Sequence, residues 1–218
     1  MSACGDDFPC RGAGSRTAIV MAKAPIPGYA KSRLIPELGT VGAARLAEQL
    51  LEHAVLQAVA ARFDAVELCA APDVRHPVFR RLEALHGLRI TDQGEGDLGQ
   101  RMHRALARAL QRHGRALLIG TDAPAVDAAV LRQASRALDD ADAVFVPAFD
   151  GGYALVGLRR PAHPLFQGIA WSTDQVMHQT RVQAKRAGVS LVELDPVGDI
   201  DEAADLVHLP AGWLPRRA

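Results

Sequence analysis

The sequence predicts an α/β fold in which a mostly parallel, twisted sheet lies between two layers of helices. A short, continuous apolar segment at residues 17–22 indicates a strand that is covered on both faces, and residues 65–71 indicate a second strand. Between them, apolar residues recur every fourth position from Ala47 to Val59, which indicates an amphipathic helix over residues 40–63. Because strands and helices alternate in this way, parallel strands joined by right-handed crossovers are expected.

The rest of the chain continues this alternation. Further strands are predicted over residues 88–91, 116–120, 144–147, 153–158 and 189–194, and helices over 79–85, after Asp97, from Asp127 to Leu138, from Ser172 with Gln175, and over 202–207. Asp97 and Gln100 have the spacing of a capping box. No helix separates the strands at 144–147 and 153–158, so an antiparallel element is expected there. Arg104, Arg108 and Arg112 follow the outer side of the third helix and are interpreted as a solvated face.

Composition favours one domain with a small-molecule substrate. The chain has 218 residues, of which 25 are Lys or Arg and 25 are Asp or Glu, so no net field favours nucleic acid or an anionic membrane. Residues 1–16 are expected to be a disordered leader and residues 17–218 a single domain. The three cysteines, Cys4, Cys10 and Cys69, give no disulfide framework or zinc motif. Without a signal peptide or membrane span, a cytoplasmic protein is expected.

The loop after the first strand carries three cations. Lys23, Lys31 and Arg33 lie in a segment whose backbone is restricted by Pro25 and Gly28. In an open parallel sheet such loops line the ligand crevice, and a guanidinium binds phosphate in a bidentate fork. The loop is therefore a candidate polyphosphate site, although an exposed basic turn has the same pattern.

Aspartates follow two later strands. Asp122 comes after the strand at 116–120, and Asp199 and Asp201 come after the last strand. Together these carboxylates offer the hard oxygen ligands that Mg²⁺ or Mn²⁺ prefers. An Asx turn or helix cap is the alternative role of Asp122, and one of the later pair is expected to be the N-cap of the helix that follows.

A fourth loop places an acid beside two glycines and an aromatic ring. Asp150 is a candidate general base for an acceptor hydroxyl, and Tyr153 and Trp171 are candidate walls of an acceptor pocket. A simple turn at Asp150–Gly151 and packing of both rings in the core are the alternatives.

The residues 94–99 match a dinucleotide-binding fingerprint, which favours an NAD enzyme instead. This interpretation ranks lower, because Glu95 and Asp97 would place negative charge where the pyrophosphate binds.

Taken in order, these motifs resemble the glycosyltransferase A superfamily, and within it the bacterial glycosyltransferase-like family linked to arsenosugar biosynthesis. The matching segments are residues 22–28, 31–34, 96–102, 120–124, 150–153, 171–173 and 199–201. The chain is also similar to nucleotidyltransferases such as the phospholactate and molybdenum-cofactor guanylyltransferases. The first loop lacks the glycine-rich run common in sugar nucleotidyltransferases, and the Asp122 loop has one aspartate where many glycosyltransferases have two separated by one residue.

The resemblance implies a role for each matching segment. The residues expected to bind the nucleotide are Lys23, Pro25, Gly28, Lys31, Arg33, Gly96, Asp97, Leu98, Gly99 and Arg101. Those expected to bind the acceptor are Gly151, Gly152, Tyr153, Trp171, Ser172 and Thr173. Asp122 and Asp201 are expected to bind the metal, with Asp199 as the alternative partner of Asp122, and the expected catalytic residues are Lys31, Arg33, Asp122 and Asp150. The expected cofactor is Mg²⁺ or Mn²⁺.

Three functions remain open from the sequence. The first is a metal-dependent glycosyltransferase that uses a nucleotide-diphospho-sugar donor and a small-molecule acceptor. The second is a nucleotidyltransferase that releases pyrophosphate from a nucleoside triphosphate. The third is a nucleotide-binding module without catalysis. The sequence predicts no particular oligomeric state.

Overall fold

The computed structural model describes residues 14–210 and 212–213, and it contains seven strands and five α-helices. The strands are β1 Arg16–Lys23, β2 Ala65–Ala71, β3 Arg89–Asp92, β4 Arg115–Ile119, β5 Ala143–Pro147, β6 Tyr153–Leu158 and β7 Leu191–Glu193. The helices are α1 Ile35–Ala60, α2 Pro77–His86, α3 Leu98–Leu110, α4 Ala128–Ala137 and α5 Val176–Ala187. Shorter 3₁₀ turns span Ser32–Leu34, His163–Phe166 and Ala203–His208.

All seven strands form one sheet in the order β3-β2-β1-β4-β6-β5-β7. β1 pairs in parallel with β2 and with β4, β2 with β3, and β5 with β7, whereas β6 is antiparallel to both of its neighbours. The mostly parallel sheet and its antiparallel element are therefore confirmed. Because β6 reverses direction between β4 and β5, the other six strands all end at the same edge of the sheet.

Two apolar clusters cover the two faces of the sheet. On one face, Val20 of β1 packs with Val55 of α1 and Phe79 of α2, and α4 completes this layer. On the other face, Ile19 packs with Leu106 of α3 and Met177 of α5. Val20 and Ile19 are neighbours on β1 and point to opposite faces, as alternation along a strand requires. The three-layer α/β/α architecture is thus confirmed.

Several element boundaries differ from the sequence prediction. α1 begins at Ile35 and is interrupted at Gly39 (φ 69°), so the predicted helix over residues 40–63 is the part after this break. α5 begins at Val176, and Gln175 at its N-cap makes no side-chain capping bond. Ser172 has a φ of +64° and lies before the helix, so the prediction that Ser172 opens it is wrong. β1 already includes Arg16, and the rest of the predicted leader up to residue 13, with Cys4 and Cys10, lies outside the described residues.

The arginine row on α3 is not only a solvated face. Arg108 Nη2 forms an ion pair with Glu67 of β2 and donates a hydrogen bond to Thr91 Oγ1 at 2.9 Å, while only a quarter of its side chain is exposed. Arg104 donates hydrogen bonds to the backbone carbonyls of Gln93 and Glu95. Arg104 is nevertheless exposed, so the prediction of a solvated face was wrong for Arg108 alone, because helical periodicity identifies a polar side but not an acid that lies opposite it. Within the described residues, no helix is long and apolar enough to cross a bilayer.

A buried carboxylate connects the edge strand β7 to the neighbouring strand β5. The Asp142 side chain is 8% exposed and accepts hydrogen bonds from Arg160 Nη2 at 2.8 Å, Arg159 Nε at 3.0 Å and the Ser190 backbone N–H at 3.1 Å. The Arg160 guanidinium above all, together with the Ser190 N–H and Arg159, holds the pKa of Asp142 well below its usual range. Ser190 directly precedes β7, so this network connects the short edge strand to β5.

We expect Asp142→Asn to lower the free energy of unfolding at neutral pH by about 1–2 kcal/mol, because charge-assisted hydrogen bonds are replaced by neutral ones while both arginines are partly screened by solvent. A depressed folded-state pKa contributes stability above the unfolded-state value of about 4, and this contribution is lost as the pH falls toward the folded value. Urea titrations of wild type and variant at pH 7 and pH 3 measure this contribution to the free energy of unfolding. A difference between variant and wild type that stays the same at pH 3 would contradict the assignment.

Candidate active site

The predicted site residues lie in loops at the edge where six strands end. Residues 24–34 follow β1, residues 120–127 follow β4, and residues 194–202 follow β7, while the turn between β5 and β6 opens at the same edge. The Ile200 N–H donates to the Asp122 carbonyl at 2.8 Å, and the Phe149 N–H donates to the Val197 carbonyl at 3.1 Å. The last loop is therefore held between the other two.

Two cations and two acids meet in this region. Lys31 Nζ lies 2.6 Å from Asp122 Oδ1 and 3.7 Å from Asp201 Oδ1, and it donates a hydrogen bond to the Ile200 carbonyl. Arg33 Nη1 lies 2.7 Å from Asp201 Oδ2. Residues that are far apart in the sequence thus form one charged cluster, defined here as Lys31, Arg33, Asp122 and Asp201.

Apolar packing holds the two halves of the charged cluster together. Leu34, at the end of the 3₁₀ turn Ser32–Leu34, and Ile200 are both buried in a third hydrophobic cluster at the start of α1. Leu34 follows Arg33 directly, and Ile200 directly precedes Asp201. Lys31 itself adopts a left-handed conformation (φ 47°, ψ 48°), which costs a residue with a Cβ about 1–2 kcal/mol. The surrounding packing compensates for this strain, which is typical of functional sites.

Neither aspartate of the cluster serves as a helix cap. α4 is capped by Asp127, whose Oδ1 accepts the backbone N–H groups of Ala129 and Val130. The turn Ala203–His208 is capped by Glu202 in a capping box with Asp205, so the prediction that Asp199 or Asp201 caps it is wrong. The Asp122 and Asp201 side chains remain 53% and 40% exposed, and both are available to a ligand.

The residues fit a divalent cation through three oxygens. Two carboxylate oxygens and the Ile200 carbonyl already surround one positive charge, that of Lys31, and all three are hard ligands. Among the described residues, no three His, Cys, Asp or Glu side chains form a metal-binding group. A metal here would therefore complete its coordination with donor phosphates or water, as Mg²⁺ usually does.

Asp199 lies in a different electrostatic environment. Burial raises the pKa of Asp199, and the negative charge of Asp150 raises it further. Asp150 is exposed, and its Oδ1 accepts the Gly152 backbone N–H at 2.8 Å, so the turn expected as the alternative is present. The structure thus brings Asp150 close to Asp199, beside the charged cluster.

The segment that precedes α3 has the structure of a supported loop. Asp97 caps α3 and forms the predicted capping box with Gln100, and Arg101 Nε donates to the Gly96 carbonyl at 2.8 Å. Because the Asp97 carboxylate occupies the helix N-terminus, and the segment follows the edge strand β3, a dinucleotide pyrophosphate has no place there. Gln93, which the sequence reasoning did not single out, is buried under the loop and donates to the carbonyls of Ala22 and Cys69.

The two aromatic residues predicted to line an acceptor pocket contact each other edge to face, with ring centroids 6.4 Å apart. Burial raises the pKa of the Tyr153 hydroxyl, which donates to Met102 Sδ at 3.8 Å, and the partly buried ring packs against the hydrophobic core. Trp171 is half-buried beside Gly99, where an added Cβ would lie 2.4 Å from the indole ring. Trp171 therefore joins the predicted nucleotide and acceptor regions.

The remaining predicted residues lie in the same group of loops. The Thr173 hydroxyl donates to the Ala170 carbonyl at 2.7 Å, and a Cβ on Gly151 would lie 2.2 Å from the Asp174 carbonyl, so these two turns pack tightly together. Lys23 ends β1 and is exposed, without an ion pair to any described residue. Pro25 and Gly28 shape the segment between Lys23 and Lys31, in which the Ile26 carbonyl accepts the Tyr29 and Ala30 N–H groups.

Comparison with solved structures identifies the fold class as that of nucleotide-diphospho-sugar transferases. A protein of Desulfovibrio desulfuricans G20 described as such a transferase is 28% identical, with a TM-score of 0.79 over 87% of this chain and 83% of that protein. The chain belongs to the DUF2064 family, described as an uncharacterized protein conserved in bacteria, whose model matches residues 53–173. A search of curated proteins found no match.

Two more distant structures have the same fold. A nucleotidyl transferase from Methanothermobacter thermautotroptrophicus is 16% identical, with a TM-score of 0.63 over 92% of this chain and 98% of that protein. Rv0371c from Mycobacterium tuberculosis H37Rv, solved in complex with manganese, is 20% identical, with a TM-score of 0.54 over 90% of this chain and 97% of that protein. At these identities the likeness establishes the fold alone.

Proposed function

We propose that this protein is a nucleotide-dependent transferase whose charged cluster binds the phosphates of the donor together with a divalent metal. The observation that carries the proposal is the meeting of Lys31 and Arg33 with Asp122 and Asp201 at one edge of the sheet. Ion pairs between exposed side chains contribute only about 0–1 kcal/mol, so Arg33, whose side chain is 67% exposed, exchanges its carboxylate for a phosphate at little cost. Named transferases with this fold support the same class.

We place glycosyl transfer from a nucleotide-diphospho-sugar first. The acceptor oxygen forms a bond to the anomeric carbon, the bond from that carbon to the β-phosphate oxygen breaks, and the nucleoside diphosphate leaves. Asp150 takes the proton of the acceptor hydroxyl, and Arg33 stabilises the charge that develops on the phosphate. Asp122 and Asp201 would hold Mg²⁺ or Mn²⁺, which offsets phosphate charge when bound. The description of the 28% identical relative favours this reaction. The arsenosugar link remains a prediction from the sequence resemblance.

Nucleotidyl transfer is the second candidate, and the density of positive charge in the first loop favours it. Lys23, Lys31 and Arg33 supply three cations, which suits a triphosphate better than a diphosphate. In this reaction an acceptor phosphate oxygen attacks the α-phosphorus and pyrophosphate leaves. In either reaction, Trp171 and Gly99 would lie between the nucleobase of the donor and the acceptor.

Thermal unfolding in the presence of ligands tests the proposal. Each nucleoside triphosphate and each nucleotide-sugar is added with Mg²⁺ or Mn²⁺, and a ligand at about a hundred times its dissociation constant adds about 2.7 kcal/mol to the free energy of unfolding. Stabilisation by nucleotide-sugars, with release of nucleoside diphosphate to an acceptor, supports glycosyl transfer. Stabilisation by triphosphates alone favours nucleotidyl transfer. Binding with neither pyrophosphate nor nucleoside diphosphate released supports a non-catalytic module, and no stabilisation by either class contradicts the proposal.

A further inference from the structure

Lys31 is the most buried charge of the cluster. Its side chain is 7% exposed, although its partners Asp122 and Asp201 are 53% and 40% exposed. The ammonium group therefore lies beneath the carboxylates. A lysine that is free to bind phosphate would be expected to extend into solvent instead. The Lys31 backbone is left-handed, and the adjoining turn Ser32–Leu34 contains the buried Leu34.

The oxygens around Lys31 Nζ are those that fit a divalent metal. They come from Asp122 Oδ1, Asp201 Oδ1 and the Ile200 carbonyl, so no oxygen of this set is left over for a second cation at the same point. Two like charges within a few ångströms of each other repel strongly in a partly buried site. The ammonium group and a metal ion therefore compete for one position.

We propose that Lys31 is the resident cation of the acid cluster in the ligand-free protein, and that a divalent metal binds Asp122 and Asp201 only as the ammonium group moves away. Building on the function proposed above, the phosphates of the donor are the group that receives the displaced ammonium. Metal alone then binds weakly, because each metal bound leaves Lys31 without its acids. Metal and donor bind together, because the donor gives Lys31 a new partner.

Manganese binding without any nucleotide tests the competition. Loss of the free Mn²⁺ signal in electron paramagnetic resonance measures the affinity of the full chain for Mn²⁺ alone. We expect Lys31→Met to bind Mn²⁺ at least about ten-fold more tightly than wild type, since the competing charge is gone. Lys185→Met makes the same chemical change on α5, at the other face of the sheet, and is expected to match wild type. Adding Asp122→Asn to Lys31→Met is expected to abolish the gain. Unchanged or weaker binding by Lys31→Met overturns the proposal, and so does a gain of equal size in Lys185→Met.

Chemical labelling of the unaltered protein gives a second test that does not depend on a variant folding. Lys31 is expected to be acetylated far more slowly than exposed Lys185 in the metal-free protein, and its rate is expected to rise when Mn²⁺ is added at saturation. Labelling that is unaffected by bound Mn²⁺ overturns the displacement. Neither test requires a nucleotide. If the displacement is not observed while nucleotides still stabilise the protein, the displacement alone is rejected. If the displacement is observed but no nucleotide stabilises the protein, the proposed function alone is rejected.

Discussion

Replacing Asp122 with asparagine is expected to lower transfer by about 10²–10³-fold, the usual loss when one group that stabilises transition-state charge is removed. Asparagine has nearly the same shape as aspartate but lacks the negative charge that would hold a metal ion and that now faces Lys31 Nζ at 2.6 Å. The metal-dependent part of nucleotide binding should be lost with the activity. The fold should remain intact, because more than half of the Asp122 side chain is exposed.

Asp127→Asn is the matched control for this variant. Asp127 lies five residues further on in the same loop, and its Oδ1 caps α4 by accepting two backbone N–H groups, which an asparagine oxygen also does. The measurements are product release and the change in unfolding temperature with nucleotide, each with and without Mn²⁺. If Asp122→Asn keeps wild-type Mn²⁺ dependence in both assays, Asp122 is not a metal ligand.

Arg108→Met is expected to lower the free energy of unfolding by about 3 kcal/mol, the lower end of the range for breaking a buried ion pair, because Arg108 is a quarter exposed. The variant leaves Glu67, which is 9% exposed, with the Thr91 hydroxyl as its one remaining hydrogen-bond donor among the described residues. Taking a charge out of water without a partner is the dominant cost. Urea denaturation monitored by circular dichroism measures the loss.

Two further variants distinguish the loss of the ion pair from the general effect of removing an arginine from the helix surface. Arg112→Met changes the next arginine of the row, which is exposed, and is expected to stay within about 0.5 kcal/mol of wild type. The double variant Glu67→Gln with Arg108→Met removes the unpaired charge and should recover part of the stability. A loss of less than about 1 kcal/mol in Arg108→Met would show that solvent screens the pair as it does at a surface.

The architecture was predictable because hydrophobic patterns repeat over whole elements. β2 and β6 begin and end at the predicted residues, and the capping box at Asp97 and Gln100 fixed the start of α3. Boundaries failed where one residue decides them. Ser172 looks like a cap in the sequence, but its left-handed backbone places it in a turn that Thr173 stabilises before the helix begins.

The candidate site was predictable in its parts but not in its pairings. Loop positions after parallel strands placed Lys31, Arg33, Asp122 and Asp201 at one edge, because strand direction alone sets that edge. Whether Lys31 faces acids or solvent depends on how the loops after three strands fold together, and no pattern in the sequence shows the left-handed conformation of Lys31. The apolar residues Leu34 and Ile200, each beside a charged residue, were the available signal that these loops are anchored.

The hydrophobic cluster that contains Leu34 and Ile200 holds the loops of the site in position by apolar packing, which does not depend on the charges of the site. Salt at about 1 M reduces the screening length to about 3 Å and weakens exposed ion pairs such as Arg33 with Asp201, whereas apolar burial is unaffected or strengthened. High ionic strength should thus reduce the attraction of the site for anionic donors while its loops keep their positions. An inhibitor that binds by shape would then retain its affinity in concentrated salt, and a phosphate-bearing one would lose it.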